Sequence, residues 1–338
     1  MKQQRWMLAG LVVSSGFAWI WPLLGVEFDP FTASQPYLVW GIVAAMFAVG
    51  CLLDPAELRD VVKLWPHVIG GTAVQYPAMP LLAVYFAWLG NYDPVTRIGV
   101  IMVGCVPGAM ASNVLTLLSR GNVSYSVCLT TLATLLSPIA VPLALWLTLD
   151  AEHQIDPWQV GQQLAIQVVL PVVAGFLLCR WSWAARLAKH VAPLLAQITI
   201  LWVIAAVVAV NRERLHQATP VLILVLLLIN LGGYVAGWIA GRCFRQTSPM
   251  RRALTLEIGM QNCGLGTVLV LQLYPEPQFA PAAIPTAAYT FGCMLTGILL
   301  ASWWNRIPVE SCQLASSNEP IIAQFPLDSQ TVLQDNLP

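Results

Sequence analysis

The chain has 338 residues, of which 58% are hydrophobic and only 9% are charged, and its formal net charge is zero. A soluble domain has about 25% charged residues because its surface faces water, so this composition excludes an ordinary soluble domain. The zero net charge also argues against a nucleic-acid partner.

Ten hydrophobic segments follow one another along the chain, each close to the roughly 20 residues that a helix needs to cross a membrane. We predict spans at 6–24, 36–53, 67–89, 97–119, 123–148, 157–179, 192–210, 220–242, 252–274 and 281–304. The first also has the Lys2 and Arg5 start of a signal peptide. Its length and bulky ending favour a membrane span, so the sequence predicts an all-α polytopic membrane protein.

Basic residues are distributed unevenly among the connectors between these segments. With a cytoplasmic N-terminus, thirteen of the sixteen Lys and Arg residues fall in cytoplasmic segments, and only Arg97, Arg212 and Arg214 fall outside. Cytoplasmic loops normally hold the excess of Lys and Arg. We therefore expect a multi-pass protein of the inner (plasma) membrane with both termini in the cytoplasm, whereas nothing in the pattern predicts its oligomeric state.

Residues 307–338 differ from the rest of the chain. This segment is polar, weakly acidic and without clear periodicity, which is typical of a disordered segment. We predict a membrane domain over 1–306, followed by a disordered cytoplasmic tail.

The fourth span is interrupted by helix-breaking and polar residues in the segment GCVPGAMASNVLTLL (104–118). These include Pro107, Gly108, Ser112 and Asn113. Proline removes a helix hydrogen bond and clashes with the preceding turn. A simple proline kink would explain this segment alone as well as a binding site would.

Single polar residues occur within three other spans. Ser126 and Thr130 lie one turn apart in the fifth span and can face one site, and Gln75 lies in the third. Ser and Thr also bond the carbonyls of their own helix, which is the structural alternative for them. Asn230, in the eighth span, has no role that the sequence assigns.

Glu257 is the one acidic residue of the sixteen that lies within a predicted span. A carboxylate at membrane depth costs about 3 kcal/mol on insertion scales, and intramembrane acids are usually functional. No Lys or Arg lies well inside any predicted span to pair with it. A bound cation or a proton would compensate Glu257, and the structural alternative is a protonated side chain that only forms hydrogen bonds in the bundle.

The residues around Glu257 favour a cation. The segment LEIGMQNCGLG (256–266) has three glycines beside Gln261 and Asn262, which predicts a locally unwound helix. Exposed backbone at membrane depth is tolerated where it is buried in protein or lines a cavity. Carbonyl, amide and carboxylate oxygens can replace the hydration shell of a small cation.

The two interrupted segments fall at matching places, in the fourth and the ninth spans. If repeats of five spans cover about 6–148 and 157–304, the odd number gives them opposite orientations in the membrane. Interrupted spans at corresponding positions of inverted repeats indicate the binding site of a transporter. Half-helix N-termini attract anions, so a cation and an organic anion can be held together.

Three rival functions remain to be compared with a cation-coupled transporter. A proton-coupled transporter or exporter would use Glu257 as the titrating group. An intramembrane enzyme would need paired acids, a Ser/His pair or metal ligands at depth, and a single Glu without a nearby His argues against an enzyme. A ligand sensor would signal through the tail.

Two segments resemble the signature regions of the bile acid:sodium symporter family, bacterial branch. They are PGAMASNVLTLLSRGNVSYSVCLTTLATLLSPIAVPL and LEIGMQNCGLGTVL, and the similarity runs from about residue 5 to 304. The resemblance implies ten helices in two inverted repeats, with helices 4 and 9 discontinuous and crossing. It also implies a panel domain and a core domain separated by a crevice, and sodium-coupled symport of an organic monoanion by alternating access.

The resemblance also implies the binding residues, with two sodium ions as coupling ions and no cofactor. The first sodium site would use Ser112, Asn113, Ser126, Thr130 and Glu257. The second would use Gln75, Glu257, Gln261 and the backbone carbonyls of Ile258 and Met260. The substrate would lie near Met110, Ala111, Asn262, Cys293 and Met294.

Cys293 and Met294 replace a His-Asn pair found in bile-acid-binding bacterial relatives. The family also moves smaller carboxylates, including pantoate and 2-oxo acids. We therefore expect an organic monoanion, bile-acid-like or smaller, as the substrate.

Overall fold

The structure, a computed structural model, describes residues 2–53, 55–153, 155–212 and 219–307. The predicted tail at 307–338 thus lies outside the described residues except for Ile307. All regular secondary structure of the described residues is helical, apart from one isolated antiparallel bridge between Gly108 and Gln261. The all-α class predicted from the sequence is confirmed.

Seven helices make up the first half of the chain. They are α1 (Lys2–Ile20), α2 (Pro30–Ala33), α3 (Leu38–Leu52), α4 (Pro55–Leu89), α5 (Pro94–Cys105), α6 (Ala111–Leu118) and α7 (Val123–Thr148).

The described residues of the second half form seven more helices. They are α8 (Pro157–Leu164), α9 (Leu170–Leu178), α10 (Ser182–Val210), α11 (Pro220–Cys243), α12 (Ser248–Gly259), α13 (Cys263–Leu273) and α14 (Ala283–Arg306). A π-helical turn, Ala165–Val169, joins α8 to α9.

Polar residues in the connectors start several of these helices. Asp93, Asn122, Asp156 and Thr219 each accept a hydrogen bond from a backbone N–H two or three residues later, at 2.9–3.3 Å. Such caps satisfy N–H groups that the first turn leaves without a partner. The same turn residues that separate the predicted spans therefore fix where helices begin.

Two helices begin ten or more residues earlier than their predicted spans. α4 starts at Pro55 instead of 67, and α10 starts at Ser182 instead of 192. The added residues include several charged side chains, which a search for apolar segments leaves out. Helix formation depends on backbone hydrogen bonds and propensity as well as on hydrophobicity, so the helices continue through them.

Six helical segments of the described chain are long and apolar enough to cross a membrane. They are Gln35–Leu52, Val123–Thr148, Pro157–Leu178, Ser182–Val210, Pro220–Cys243 and Pro277–Arg306. Shorter apolar helices occur at Val12–Leu24, Pro94–Cys105 and Cys263–Leu273. These segments identify a multi-pass membrane protein, and the count of ten spans stays a prediction.

The helices pack in two groups. In the first, α3 packs against α9 and α10, and α10 packs against α1. In the second, α4 packs against α5, α7 and α11, while α11 packs against α12 and α14. The polar segment before α6 and the one between α12 and α13 lie in the second group, where neighbouring helices bury most of their residues.

Ion pairs and hydrogen bonds join connectors across the sequence. Arg97 pairs with Asp150 at 3.1 Å, and Arg212 pairs with Asp29 at 2.5 Å. All four of these residues are ones that the sequence places at the external side of the membrane. The orientation of the protein in the membrane stays a prediction.

Candidate functional site

The two interrupted segments meet and complete each other's backbone hydrogen bonds. α5 ends at Cys105 and α6 begins at Ala111, while α12 ends at Gly259 and α13 begins at Cys263. The N–H of Ala109 donates to the carbonyl of Met260 at 2.8 Å, and the N–H of Asn262 donates to that of Pro107 at 2.8 Å. Buried backbone groups need such partners, so the two segments satisfy each other.

Glu257 lies beside this junction and is completely buried. Its carboxylate accepts a hydrogen bond from Ser112 Oγ at 2.5 Å and another from Thr130 Oγ1 at 2.7 Å. Within the described part of the chain, neither of the two ion pairs involves Glu257. Hydroxyl donors orient a buried carboxylate but supply no opposite charge.

The five side chains expected to form the first sodium site lie together. Asn113 Oδ1 accepts a hydrogen bond from Ser126 Oγ at 2.8 Å and lies 3.3 Å from Thr130 Oγ1. Through Thr130 this pair connects to Glu257 and Ser112. The cluster therefore presents carboxylate, amide and hydroxyl oxygens from α6, α7 and α12 at one place.

The residues expected to form the second sodium site lie around the same junction and include buried amides without partners. Gln75 is 2% exposed, yet its Oε1 and Nε2 have no hydrogen-bond partner among the described residues, and neither does Gln261 Oε1. Gln261 Nε2 donates to the carbonyl of Ile258 at 2.9 Å. A buried polar atom without a partner costs about 1–3 kcal/mol, so these amides fit the binding of a polar ligand or an ion.

Gly108 brings Gln75 and Glu257 close to each other. A Cβ atom on Gly108 would lie 2.2 Å from Glu257 Oε1 and 3.1 Å from Gln75 Nε2. Glycine is therefore required here because a side chain would occupy the space between the carboxylate and the amide. The expected second set is brought together around this residue.

A cavity of about 200 Å³ adjoins the first cluster. Its polar wall is formed by Asn113, Thr130, Thr131 and Thr134, and its apolar wall includes Val49. The complete lining is Val49, Leu52, Leu53, Met110, Asn113, Val114, Val127, Thr130, Thr131, Thr134 and Val172. The cavity thus lies between α3 and α9 of the first group and α6 and α7 of the second, and its lining in the described part of the chain has no charged side chain.

Only some of the residues expected to contact the substrate lie at this cavity. Met110 lines the cavity, and Ala111 begins α6 beside it. Asn262 caps α13, accepting a hydrogen bond from the N–H of Leu265 at 3.2 Å. Cys293 and Met294, in contrast, are 2% and 3% exposed within α14 and do not line this cavity.

Three residues that the sequence left unassigned belong to the surroundings of the site. Thr116 is buried with its hydroxyl 3.2 Å from Ser126 Oγ. It follows Ser112 by four residues, and this spacing in the sequence indicates that the two side chains share one face of the helix. Asn230 Nδ2 and the hydroxyl of Tyr289 both donate to the carbonyl of Gly259, at 2.7 and 2.8 Å. Only the tertiary structure brings these two donors to one carbonyl.

Arg252 is another residue whose contacts the sequence did not reveal. Its guanidinium is buried and donates to the carbonyls of Ser119, Trp304 and Ile307, at 2.6, 3.2 and 3.3 Å. These carbonyls lie at the C-terminal ends of α6 and α14, where helices leave carbonyls unpaired and favour positive charge. Arg252 therefore links α12 by hydrogen bonds to the end of α6, the helix that contains Ser112 and Asn113.

Comparison with known proteins adds independent information. The family model described as the Sodium Bile acid symporter family matches residues 39–218. YocS, a sodium-dependent transporter of Bacillus subtilis, is 33% identical over 291 residues, which cover 85% of this chain and 89% of that protein.

Two further relatives come from plants and animals. The probable sodium/metabolite cotransporter BASS1 of Arabidopsis thaliana chloroplasts is 28% identical over 88% of this chain and 71% of its own length. The ileal sodium/bile acid cotransporter of Oryctolagus cuniculus is 27% identical over 70% of this chain and 69% of its own length.

Proposed function

Because the chain belongs to the sodium bile acid symporter family, we propose that it is a sodium-coupled symporter of an organic monoanion. The observation that carries this proposal is Glu257, a fully buried carboxylate held by two hydroxyl groups and joined to no cation in the described structure. A buried charge needs a partner. We assign that partner as Na⁺, one of the coupling ions that the protein carries as cargo.

The chemistry of the surrounding atoms supports sodium. Carboxylate, amide, hydroxyl and carbonyl oxygens are hard ligands that can replace the water around a small cation. The first site takes Ser112, Asn113, Ser126, Thr130 and Glu257, and the second takes Gln75, Glu257, Gln261 and the carbonyls of Ile258 and Met260. The partnerless atoms of Gln75 and Gln261 support the second site, because an ion would satisfy their oxygens.

Two inverted five-helix repeats are the architecture that we propose for the membrane domain. In it, α5 with α6 forms a discontinuous fourth span, and α12 with α13 forms a discontinuous ninth. The reciprocal hydrogen bonds support this arrangement, since Ala109 pairs with Met260 while Asn262 pairs with Pro107, as a twofold relation between halves would produce. Repeats of this kind hold substrate and ion sites at the crossing of broken helices.

The cavity beside the first cluster is the proposed substrate site. An anion placed there would meet the hydroxyl and amide groups of Asn113, Thr130, Thr131 and Thr134, and the N-terminus of α6. Helix N-termini favour negative charge. The volume of about 200 Å³ is smaller than the roughly 300–1,000 Å³ of sites for drug-sized ligands, and it favours a small carboxylate over a bile acid.

Coupled transport requires that binding at the first sodium site and binding in the substrate cavity affect each other. Sodium bound by Asn113 and Thr130 would fix the wall against which the substrate anion binds, so that each ligand increases the affinity for the other. The helix group with α3 and α9 would then move against the group with α6 and α7 and open the cavity to the cytoplasm. The sodium gradient across the inner membrane drives uptake, and no catalytic step is involved.

A thermal-shift screen of purified protein tests substrate and coupling ion together. Small carboxylates and bile acids are added in NaCl or in choline chloride at equal ionic strength, and a ligand that binds the native state raises the unfolding midpoint. We expect a carboxylate whose stabilisation requires sodium. Stabilisation of equal size in choline chloride would contradict sodium coupling.

Proteoliposomes then separate sodium coupling from proton coupling. Uptake of the identified carboxylate should rise with an imposed inward sodium gradient and should be lost in Glu257→Gln. A pH gradient imposed without sodium should give no uptake. Uptake driven by that pH gradient alone would replace the proposal with proton-coupled transport.

A further inference from the structure

The last carbonyl of α12 has an unusual number of fixed partners. Gly259 O accepts one hydrogen bond from Asn230 Nδ2 of α11 at 2.7 Å and a second from Tyr289 OH of α14 at 2.8 Å. A carbonyl oxygen has two lone pairs, so both acceptor positions are filled. Two different helices therefore hold this single peptide group.

The two donors are themselves held in place. Asn230 and Tyr289 are each 1% exposed. Thr296 Oγ1 donates to Asn230 Oδ1 at 2.7 Å, which leaves the amide nitrogen facing Gly259. Since a carbonyl can only accept, this orientation of the amide is the one that the network permits. The donors are thus rigid side chains on packed helices.

The neighbouring carbonyls are directed elsewhere. Met260 has an extended backbone, with φ −109° and ψ 101°, so its carbonyl does not point along the helix axis. It accepts a hydrogen bond from the N–H of Ala109 at 2.8 Å. The carbonyl of Ile258 accepts from Gln261 Nε2 at 2.9 Å. The carbonyl of Gly259 therefore has different partners from the carbonyls of Ile258 and Met260, which are the two assigned to the second sodium site.

Holding Gly259 also restricts the peptide groups on either side. Gly259 has no Cβ, and a Cβ there would lie 2.1 Å from the ring of Tyr234, so the close packing of α11 requires glycine at this position. Glycine allows more backbone conformations than any other residue. Without Asn230 and Tyr289, rotation at Gly259 would redirect the carbonyls of Ile258 and Met260.

We infer that Asn230 and Tyr289 are positioning residues that fix the carbonyl ligands of the second sodium site and thereby set its affinity for sodium. Neither side chain is among the ligands assigned to that site. This inference rests on the proposed sodium-coupled function, and it adds two side chains of α11 and α14 to the residues on which ion binding depends.

Two tyrosines permit a matched test. Tyr289→Phe removes a hydroxyl that bonds Gly259, whereas Tyr234→Phe removes one whose nearest partners are Thr296, at 3.2 Å, and the carbonyl of Cys293. Both are buried, and both substitutions delete one oxygen atom. The saturable binding of ²²Na⁺ to the purified proteins is measured, together with the unfolding midpoint in sodium-free buffer.

Tyr289→Phe is expected to raise the half-saturating sodium concentration about fivefold, and Tyr234→Phe by less than about twofold, because only the first frees Gly259. Asn230→Ala should raise it about tenfold. Equal sodium affinity in wild type, Tyr289→Phe and Asn230→Ala would overturn the inference, and so would equal weakening by the two tyrosine substitutions.

The same measurement distinguishes failure of the inference from failure of the proposed function. If wild type binds ²²Na⁺ saturably and the variants do so equally well, sodium coupling stands and the positioning role is wrong. If wild type shows no saturable sodium binding, the proposed function fails and the inference fails with it. Where Asn230→Ala does not fold, the two tyrosine variants decide the question.

Discussion

Ser112 and Glu257 are 145 residues apart in the sequence and are joined by a 2.5 Å hydrogen bond between the serine hydroxyl and the carboxylate. The serine lies in the first turn of α6, and the glutamate lies near the end of α12. The bond therefore connects the two halves of the chain at the point where their helices are interrupted.

Replacing Ser112 with alanine should weaken sodium binding about tenfold. The change removes one oxygen from the first cluster and one donor to Glu257, and a hydrogen bond to a charged group contributes about 1.5–3 kcal/mol. Ser137→Ala is the matched control, since Ser137 is equally buried and its one hydrogen bond among the described residues is to the carbonyl of Thr134 in its own helix. Binding of ²²Na⁺ to both purified variants checks the prediction, and equal affinities would contradict it.

Gly108→Ala should abolish sodium binding. Its new Cβ would lie 2.2 Å from Glu257 Oε1, a distance that forces the buried carboxylate or the backbone to move. At Gly264, near the same junction, the nearest atom to a new Cβ is Asn262 Oδ1 at 3.8 Å, so Gly264→Ala should bind sodium normally. If Gly108→Ala binds sodium like Gly264→Ala, the close approach has no role in ion binding.

Gln75→Leu should make the protein more stable without sodium and less responsive to it. Both polar atoms of Gln75 are buried without a partner among the described residues, and removing such atoms can gain about 1–2 kcal/mol. Thr72→Val is the control, because its hydroxyl is also buried and without a partner one turn earlier but belongs to neither proposed sodium site.

Unfolding midpoints in NaCl and in choline chloride check this comparison. Thr72→Val should gain stability and keep the full sodium-induced shift, whereas Gln75→Leu should lose most of that shift. An undiminished shift in Gln75→Leu would remove Gln75 from the second site.

Arg252→Lys should lower the free energy of unfolding by about 2 kcal/mol, since one ammonium group cannot reproduce three guanidinium hydrogen bonds to separate carbonyls. Arg251→Lys is the neighbouring control. Its guanidinium lies 5.1 Å from the ring centroid of Trp238, a contact of about 0.5–1 kcal/mol when partly exposed. Thermal unfolding in detergent should show the larger drop for Arg252→Lys, and equal drops would contradict the anchoring role.

The orientation in the membrane is testable with single cysteines. Asp150 has a side chain that is 58% exposed, and it lies in a connector predicted to be external. In a cysteine-free background, Asp150→Cys should react with a membrane-impermeant maleimide in intact cells. Arg306→Cys, at the exposed end of α14, should react only after permeabilisation, and the reverse pattern would invert the predicted topology.

The sequence predicted the family, the helical class and the importance of the interrupted segments for definite physical reasons. Glu257 is the one acid within a predicted span, and the cost of a carboxylate in a membrane makes it conspicuous. Helices end and begin again beside Pro107 and beside Gln261, while the assignment of these helices to discontinuous fourth and ninth spans stays a prediction. The assignment of individual residues to sodium stays a prediction.

Other features depend on tertiary contacts that no local pattern encodes. Asn230 and Tyr289 are 59 positions apart and reach the same carbonyl only because α11 and α14 pack on the end of α12. Arg252 resembled an ordinary charge at the edge of a span, and its burial becomes evident only when Ser119 and Trp304 are seen around it. Cys293 and Met294, which the resemblance places near the substrate, do not line the cavity beside the first cluster, and their role in substrate binding stays a prediction.

The reciprocal pairing of Ala109 with Met260 and of Asn262 with Pro107 also has a consequence for biosynthesis. Four residues of the first cluster are translated before residue 131, but Glu257 emerges from the ribosome more than a hundred residues later. Until Glu257 has been synthesised, Ser112 and Thr130 lack the carboxylate that they bond in the folded protein. The site is therefore complete only after the second half of the chain has been made.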